Sequence, residues 1–208
     1  LHTNIMYSVH NNNQLVVAVG EGDILYSRDG SNWNRAINPR PSSALWSIIY
    51  ANGYWVATGS DGGNCLLYSE DGIVWKRNPY NFPYTLNTIG YNNASNYWVA
   101  GGQNSYSTTN GDSRDTLYKI DNITSNSVTR ATSGGLGHRA NVVVWGSNIW
   151  VATGKSYNNT NKKIVYSYDG LNWLPSSNTT SPDNFFGNAS INEGNGLAYG
   201  NEVWLVCG

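Results

Sequence analysis

The stretch ILYSRDGSNW (residues 24–33) decides how this chain is read, because it is written three times. It returns as LLYSEDGIVW at 66–75 and as IVYSYDGLNW at 164–173. Each copy sets Asp-Gly between two runs of β-formers, a strong short-range hairpin signal. Gly30, Gly72 and Gly170 can take a positive φ at no steric cost. Asp29, Asp71 and Asp169 can accept hydrogen bonds from the turn amides, and the hydroxyls of Ser27, Ser69 and Ser167 can tie the same turn. Trp33, Trp75 and Trp173 are expected to cap the hairpins by packing back onto their own sheets.

Working outward, a second word precedes each copy: QLVVAVG (14–20), YWVATG (54–59) and IWVATG (149–154). A degenerate unit carries YWVAGG (97–102) and then TLYKI (116–120), and VWLVCG (203–208) is a fifth version. Upstream of each lies one more short strand, of the type IMYSVH, SIIYANG, NTIGYNN, NVVVWGS or GLAYGN. Four short strands at a period of about 40 to 50 residues are the signature of propeller blades. The predicted class is therefore all-β, a β-propeller of four-stranded antiparallel blades. The approximate blades are 4–38, 46–78, 86–132 and 140–175, with the first two strands of a fifth at 196–208. Because an open array would leave raw edges, the expectation is a piece of a larger propeller, with completion of the fifth unit by a partner's strand as the alternative.

These units resemble the Asp-box, or BNR-like, repeats of sialidase-type β-propellers, whose usual box is Ser-x-Asp-x-Gly-x-x-Trp. Here one residue is missing between Asp and Gly, giving Ser-x-Asp-Gly-x-x-Trp. The resemblance covers nearly the whole chain. It implies the fold and leaves the role open, because propellers host many functions. Similar arrays occur in secreted and cell-surface proteins, phage tail components and large DNA viruses, so it implies an extracellular or virion-surface setting.

Composition narrows the partners. A net charge of −1, with 12% charged residues and no basic stripe, argues against nucleic acid. No apolar run approaches the ~18 residues of a membrane span, so no membrane insertion is expected. Asn is frequent, either from coding bias or because polar loops are built for hydrogen bonding. Cys65 and Cys207 fall in non-adjacent units, which argues against a bridge. Cys207 takes the place of Thr58 and Thr153, which predicts a small buried residue.

Alternating strand direction puts turns two-to-three and the blade links on one face. These are the long segments, at 78–86, 103–115, 155–162 and 176–195. Variable loops on a rigid scaffold are where recognition is expected, and unselected drift is the alternative. The candidate binding residues are Tyr80, Tyr84, Asn104, Tyr106, Tyr157, Asn158, Phe185 and Phe186, with Phe82 beside them. Such a Tyr- and Asn-rich mixture suits an adaptable surface for a glycan or a surface protein.

The sialidase resemblance also implies three arginines, a Tyr–Glu nucleophile pair and an Asp acid. The Phe/Tyr-Arg-Ile-Pro motif is not found. Of Arg28, Arg35, Arg40, Arg77, Arg114, Arg130 and Arg139, none recurs on an inner strand, where a central triad would need it. Glu21 and Glu193 share the loop face with Asp61, Asp112, Asp115 and Asp183, but no spacing singles out the two carboxyls that glycoside hydrolysis needs. His2, His10 and His138 are scattered, and GDSRD (111–115) lacks a full calcium pattern, so no metal and no cofactor are predicted. The expected role is a non-catalytic recognition module. The alternatives are a structural subunit touching neighbours in a viral or extracellular assembly, and a degenerate sialidase-like glycosidase.

Overall fold

The computed structural model describes residues 4–37, 43–60, 66–103, 116–132, 136, 138–155, 164–176 and 193–208. Their regular structure is all β. The first sheet runs in order β1 (Met6–Asn11), β2 (Val16–Gly20), β3 (Ile24–Ser27) and β4 (Asn34–Arg35). The second repeats it with β5 (Leu45–Ala51), β6 (Tyr54–Gly59), β7 (Leu66–Ser69) and β8 (Lys76–Arg77). A third set comprises β9 (Thr85–Asn92), β10 (Tyr97–Gln103), β11 (Leu117–Ile120) and β12 (Val128–Arg130). A fourth comprises β13 (Arg139–Gly146), β14 (Ile149–Lys155), β15 (Ile164–Ser167) and β16 (Leu174–Pro175). One residue pair, Gln103 with Arg139, joins these two sets. The antiparallel hairpin β17 (Gly196–Gly200) and β18 (Val203–Cys207) follows.

One register recurs. Met6 pairs with Gly20, Leu45 with Gly59 and Ala140 with Gly154, and each pairing is followed by a bulge. A Cβ on Gly20, Gly59 or Gly154 would lie 2.1, 2.2 or 2.0 Å from the carbonyl oxygen of Ile5, Ala44 or Arg139. Only glycine fits opposite the bulge, which explains the glycine that ends the recurring VATG-type word. At the turn end of the hairpins β5–β6, β9–β10, β13–β14 and β17–β18 sit aromatic pairs, Tyr50–Trp55, Tyr91–Trp98, Trp145–Trp150 and Tyr199–Trp204, with centroids 5.0, 4.6, 5.4 and 4.6 Å apart. Such pairs contribute roughly 0.5–1.5 kcal/mol each beyond burial. The intervening turns put Asn13, Asn52, Asn96, Asn148 and Asn201 at positive φ. Asn tolerates that region, so part of the Asn excess has a backbone role.

The Asp-Gly turns close on themselves. In the first, Ser27 Oγ accepts from Gly30 N (2.9 Å), and Asp29 Oδ1 accepts from the amides of Ser31 and Asn32 (2.8 Å each). The second uses Ser69 with Gly72 N (2.9 Å), and Asp71 with the amides of Ile73 and Val74 (2.8 Å each). The third uses Ser167 with Gly170 N (2.9 Å), and Asp169 with the amides of Leu171 and Asn172 (2.8 Å each). In all three the Trp indole donates to the glycine carbonyl, at 3.1, 3.0 and 3.2 Å. Burial alone would raise the Asp169 pKa. The amides of Asn172 and Leu171, with the Asn172 and Ser167 side chains, outweigh it and hold the carboxyl down at about 2.

The chain divides into two compact units, Leu1–Ile89 with Asn122–Ser127, and Gly90–Asp121 with Val128–Gly208. The core of the first lies between its two sheets. Leu15, Val17, Val19 and Ile24 meet Leu45, Ile48, Trp55, Ala57, Leu67 and Trp75 there. In the second unit Tyr97, Val99 and Leu117 meet Ala140, Val143, Trp150, Ala152, Val165 and Trp173.

This packing corrects the expected place of the tryptophans. Trp75 and Trp173, 2% and 1% exposed, lie in the layer shared with the preceding sheet rather than on their own sheets alone. Trp33 is 39% exposed, because no described sheet lies against it on that side. Cys207 is corrected too. It is exposed, whereas Thr58 and Thr153 at the same register are buried, with β7 and β15 paired beside them. Among the described residues, β18 has no third strand beside it.

Candidate functional site

A bulge adds one residue to a strand and re-aims its side chain. The bulge residues of β1 and β5 are Tyr7 and Trp46. Glu21 bridges to Ala44, and Gly22 N donates to Ser43 O (3.2 Å), which brings the end of β2 against the start of β5. The two rings therefore meet, with centroids 4.5 Å apart and planes at 44°. They remain 39% and 38% exposed, at the sheet end that carries the two-to-three turns and the sheet-to-sheet links.

Glu21 completes the platform. Its amide donates to Ile5 O (2.9 Å), continuing the β1–β2 ladder, so its carboxylate stands beside Tyr7. The phenol donates to Glu21 Oε1 (2.9 Å). That hydrogen bond raises the Tyr7 pKa above its ordinary value, with burial and the Glu21 charge adding to it, so the phenol stays neutral. Beneath, the buried Asp23 is spent on Arg35, whose Nε lies 2.7 Å from Oδ1 and whose second contact is 3.1 Å from Oδ2. Asn4 Nδ2 ties the layers, donating to Glu21 O (2.7 Å) and to Asp23 Oδ2 (3.0 Å). The result is an exposed aromatic surface with one carboxylate at its rim. It can stack on an apolar ring face and accept hydroxyl hydrogens.

The second unit fills the same bulge register with Asn141. Its Nδ2 donates to Glu193 Oε2 (3.2 Å), Gly194 O (2.9 Å) and Asn195 Oδ1 (3.2 Å). Arg139 closes on Glu193 through two hydrogen bonds, one of them from Nε to Oε2 at 3.2 Å. Arg139 opens β13, the first strand of the fourth set. Its charge is consumed by Glu193. Burial would raise the Glu193 pKa, but the bonds from Arg139 and Asn141 lower it overall. This cluster satisfies itself and holds the chain ahead of β17.

Of the residues proposed from sequence, Asn104, Tyr106, Tyr157, Asn158, Phe185 and Phe186 lie outside the described residues, as do Asp61, Asp112, Asp115 and Asp183. Tyr80 is half-buried, with its ring edge against Phe82 (4.8 Å) and its amide donating to Asn78 Oδ1 (2.8 Å). Asn78 is itself buried and donates to Ile123 O (2.7 Å) and Ser125 O (3.1 Å). Phe82 is buried, so it is core rather than a recognition aromatic. Tyr84 sits half-buried at the end of this packed link. Sequence reasoning missed Tyr7, Trp46 and their bulge. The available signal was an aromatic before the serine in both MYS and LWS. Among the described residues, no three His, Cys, Asp or Glu side chains converge as a metal cluster.

No family model matches the chain, and no curated protein matches it. Several solved structures resemble it. The computationally designed protein Ika8 superposes with a TM-score of 0.64 at 12% identity, over 99% of this chain and 56% of that one. An ancestral GH74 enzyme gives a TM-score of 0.64 at 15% identity, over 86% of this chain and 24% of that one. An extracellular domain described as part of a hybrid two-component system of B. thetaiotaomicron gives 0.60 at 11% identity, over 84% and 22%. The chain thus spans less than two thirds of each of these proteins. At such identities the likenesses carry the fold alone: an all-β chain of antiparallel sheets, consistent with a β-propeller-like architecture.

Proposed function

We propose that the protein is a non-catalytic recognition module. It binds a glycan through Tyr7, Trp46 and Glu21, on the long-loop side of a propeller built from Asp-box-like blades, at a cell or virion surface. The observation that carries this reading is the exposed Tyr7–Trp46 pair with a carboxylate at its edge. Binding sites combine apolar and aromatic surface with a few placed polar groups, and this platform has that composition. The non-catalytic reading is supported by the charges. Among the described residues, Asp23 is neutralised by Arg35 and Tyr7 stays protonated, which leaves one free carboxylate at the platform, where glycoside hydrolysis uses two.

A glycan array followed by calorimetry on a hit tests the reading. Trp46→Ala should weaken binding at least ~10-fold, as loss of an aromatic anchor does. Its thermal midpoint should stay near wild type, because Trp46 is partly exposed. Absence of any glycan ligand, or full binding by Trp46→Ala, would refute it.

A second reading, a structural subunit, has its own observation. Val203 and Leu205 of β18 are 53% and 67% exposed, and Ile5 and Val9 of the first sheet are 57% and 61% exposed. Exposed apolar faces mark contact surfaces. Stable co-purification within a larger particle, with no affinity for sugars, would move this reading ahead.

A further inference from the structure

We infer that the Tyr7–Trp46–Glu21 platform selects uncharged pyranose units and rejects acidic sugars. This rests on the glycan reading above and specifies its ligand. Shape comes first. Ring centroids 4.5 Å apart mean that the rings touch each other, so nothing flat and no quaternary ammonium fits between them. What they offer is one continuous outer surface, suited to the C–H face of a sugar ring.

Charge comes second. Glu21 is exposed, and Tyr7 occupies only Oε1. Among the described residues, Oε2 accepts no hydrogen bond and no cation pairs with Glu21. Arg35 is committed to Asp23 through two contacts. Among the described residues, the rim thus presents one unneutralised negative charge with a vacant acceptor. Sugar hydroxyls are donors to such an oxygen, whereas a sugar carboxylate meets it with like-charge repulsion. For two unit charges at contact range near a surface, that repulsion amounts to roughly tenfold or more in affinity.

The test uses the whole chain, N-acetyllactosamine, its terminally sialylated form and a lysine-rich peptide, in calorimetric titrations at low salt. The expected result is binding of the neutral sugar, with the sialylated form at least ~10-fold weaker and a gap that narrows in 0.5 M salt. Glu21→Gln should bring the two sugars within about threefold, because the amide keeps an acceptor for hydroxyls and drops the charge. Trp46→Ala should weaken binding of both at least ~10-fold. Equal or tighter binding of the sialylated form would overturn this inference and leave the glycan reading standing. So would an unchanged gap in Glu21→Gln. Binding of the peptide with no sugar bound, or no binding at all, would overturn both.

Discussion

Replacing Gly72 and Gly30 by alanine, one at a time, measures how firmly an Asp-Gly turn is seated on the sheet before it. Both glycines have left-handed φ, +74° and +76°. That alone costs an alanine about 1–2 kcal/mol. At Gly30 the cost stops there, because a Cβ would meet nothing within 4 Å. At Gly72 the new methyl would lie 2.6 Å from Leu15 Cδ2, 3.0 Å from Trp55 Nε1 and 3.1 Å from Val17 Cγ2. All three neighbours are buried, so relief means shifting packed core, at a further ~1–3 kcal/mol. Gly30→Ala should then cost about 1–2 kcal/mol and Gly72→Ala about 2–5 kcal/mol. In a domain of this size each kcal/mol moves the thermal midpoint by roughly 2–4 °C. Circular dichroism melts, with urea titrations followed by tryptophan emission, would read the difference. Equal losses at the two sites would refute the claim that the second turn is wedged against Leu15 and Val17. No loss at Gly30 would refute the need for positive φ in the turn.

Three other expectations follow from the same geometry. Thr58 and Thr153 each bury a hydroxyl with no hydrogen-bond partner, while β2 carries Val19 at that register; Thr58→Val should therefore stabilise by about 1 kcal/mol, read from the urea midpoint, and a loss would show that the hydroxyl is satisfied. The depressed Asp169 pKa adds stability that is complete above its ordinary value of 3.8 and is lost as pH falls through about 2. After discounting for its exposure this is about 1 kcal/mol; melts of Asp169→Asn should lose that part of the acid limb, and an unchanged limb would refute the role. In a Cys65→Ser background, the exposed Cys207 should react with a thiol reagent nearly as fast as a free thiol, and strong protection would mean that β18 is covered in solution.

The turn words were legible because their chemistry is local. Ser, Asp, Gly and Trp meet within seven residues, and the bonds Ser27, Asp29 and Gly30 make were written in their order. The strand pattern was legible for the same reason. The candidate site was not, because Tyr7 and Trp46 are far apart in sequence and meet where the Glu21–Ala44 bridge and the Gly22–Ser43 hydrogen bond bring their sheets together. Register also said nothing about cover. Cys207 was placed correctly against Thr58 and Thr153, yet its exposure depends on whether a third strand lies beside it. Phe82 failed in the opposite sense. Its place in a long link predicts a loop aromatic for ligands, and a link pinned by Asn78 draws it into the interior.

The seating of the second and third Asp-Gly turns on the sheets before them gives the repeat a hook and an eye. Gly72 and Trp75 are the hook of the second sheet, and Leu15 and Val17 are the eye supplied by the first. Gly170 and Trp173 fasten in the same direction onto Tyr97 and Val99. Such a coupling has polarity, and it makes a whole repeat the smallest unit that can be duplicated or deleted without orphaning a hook. It also misdirects the eye of anyone mapping damage. A lesion at Val17 lies in the first repeat, but the repeat that comes loose is the second.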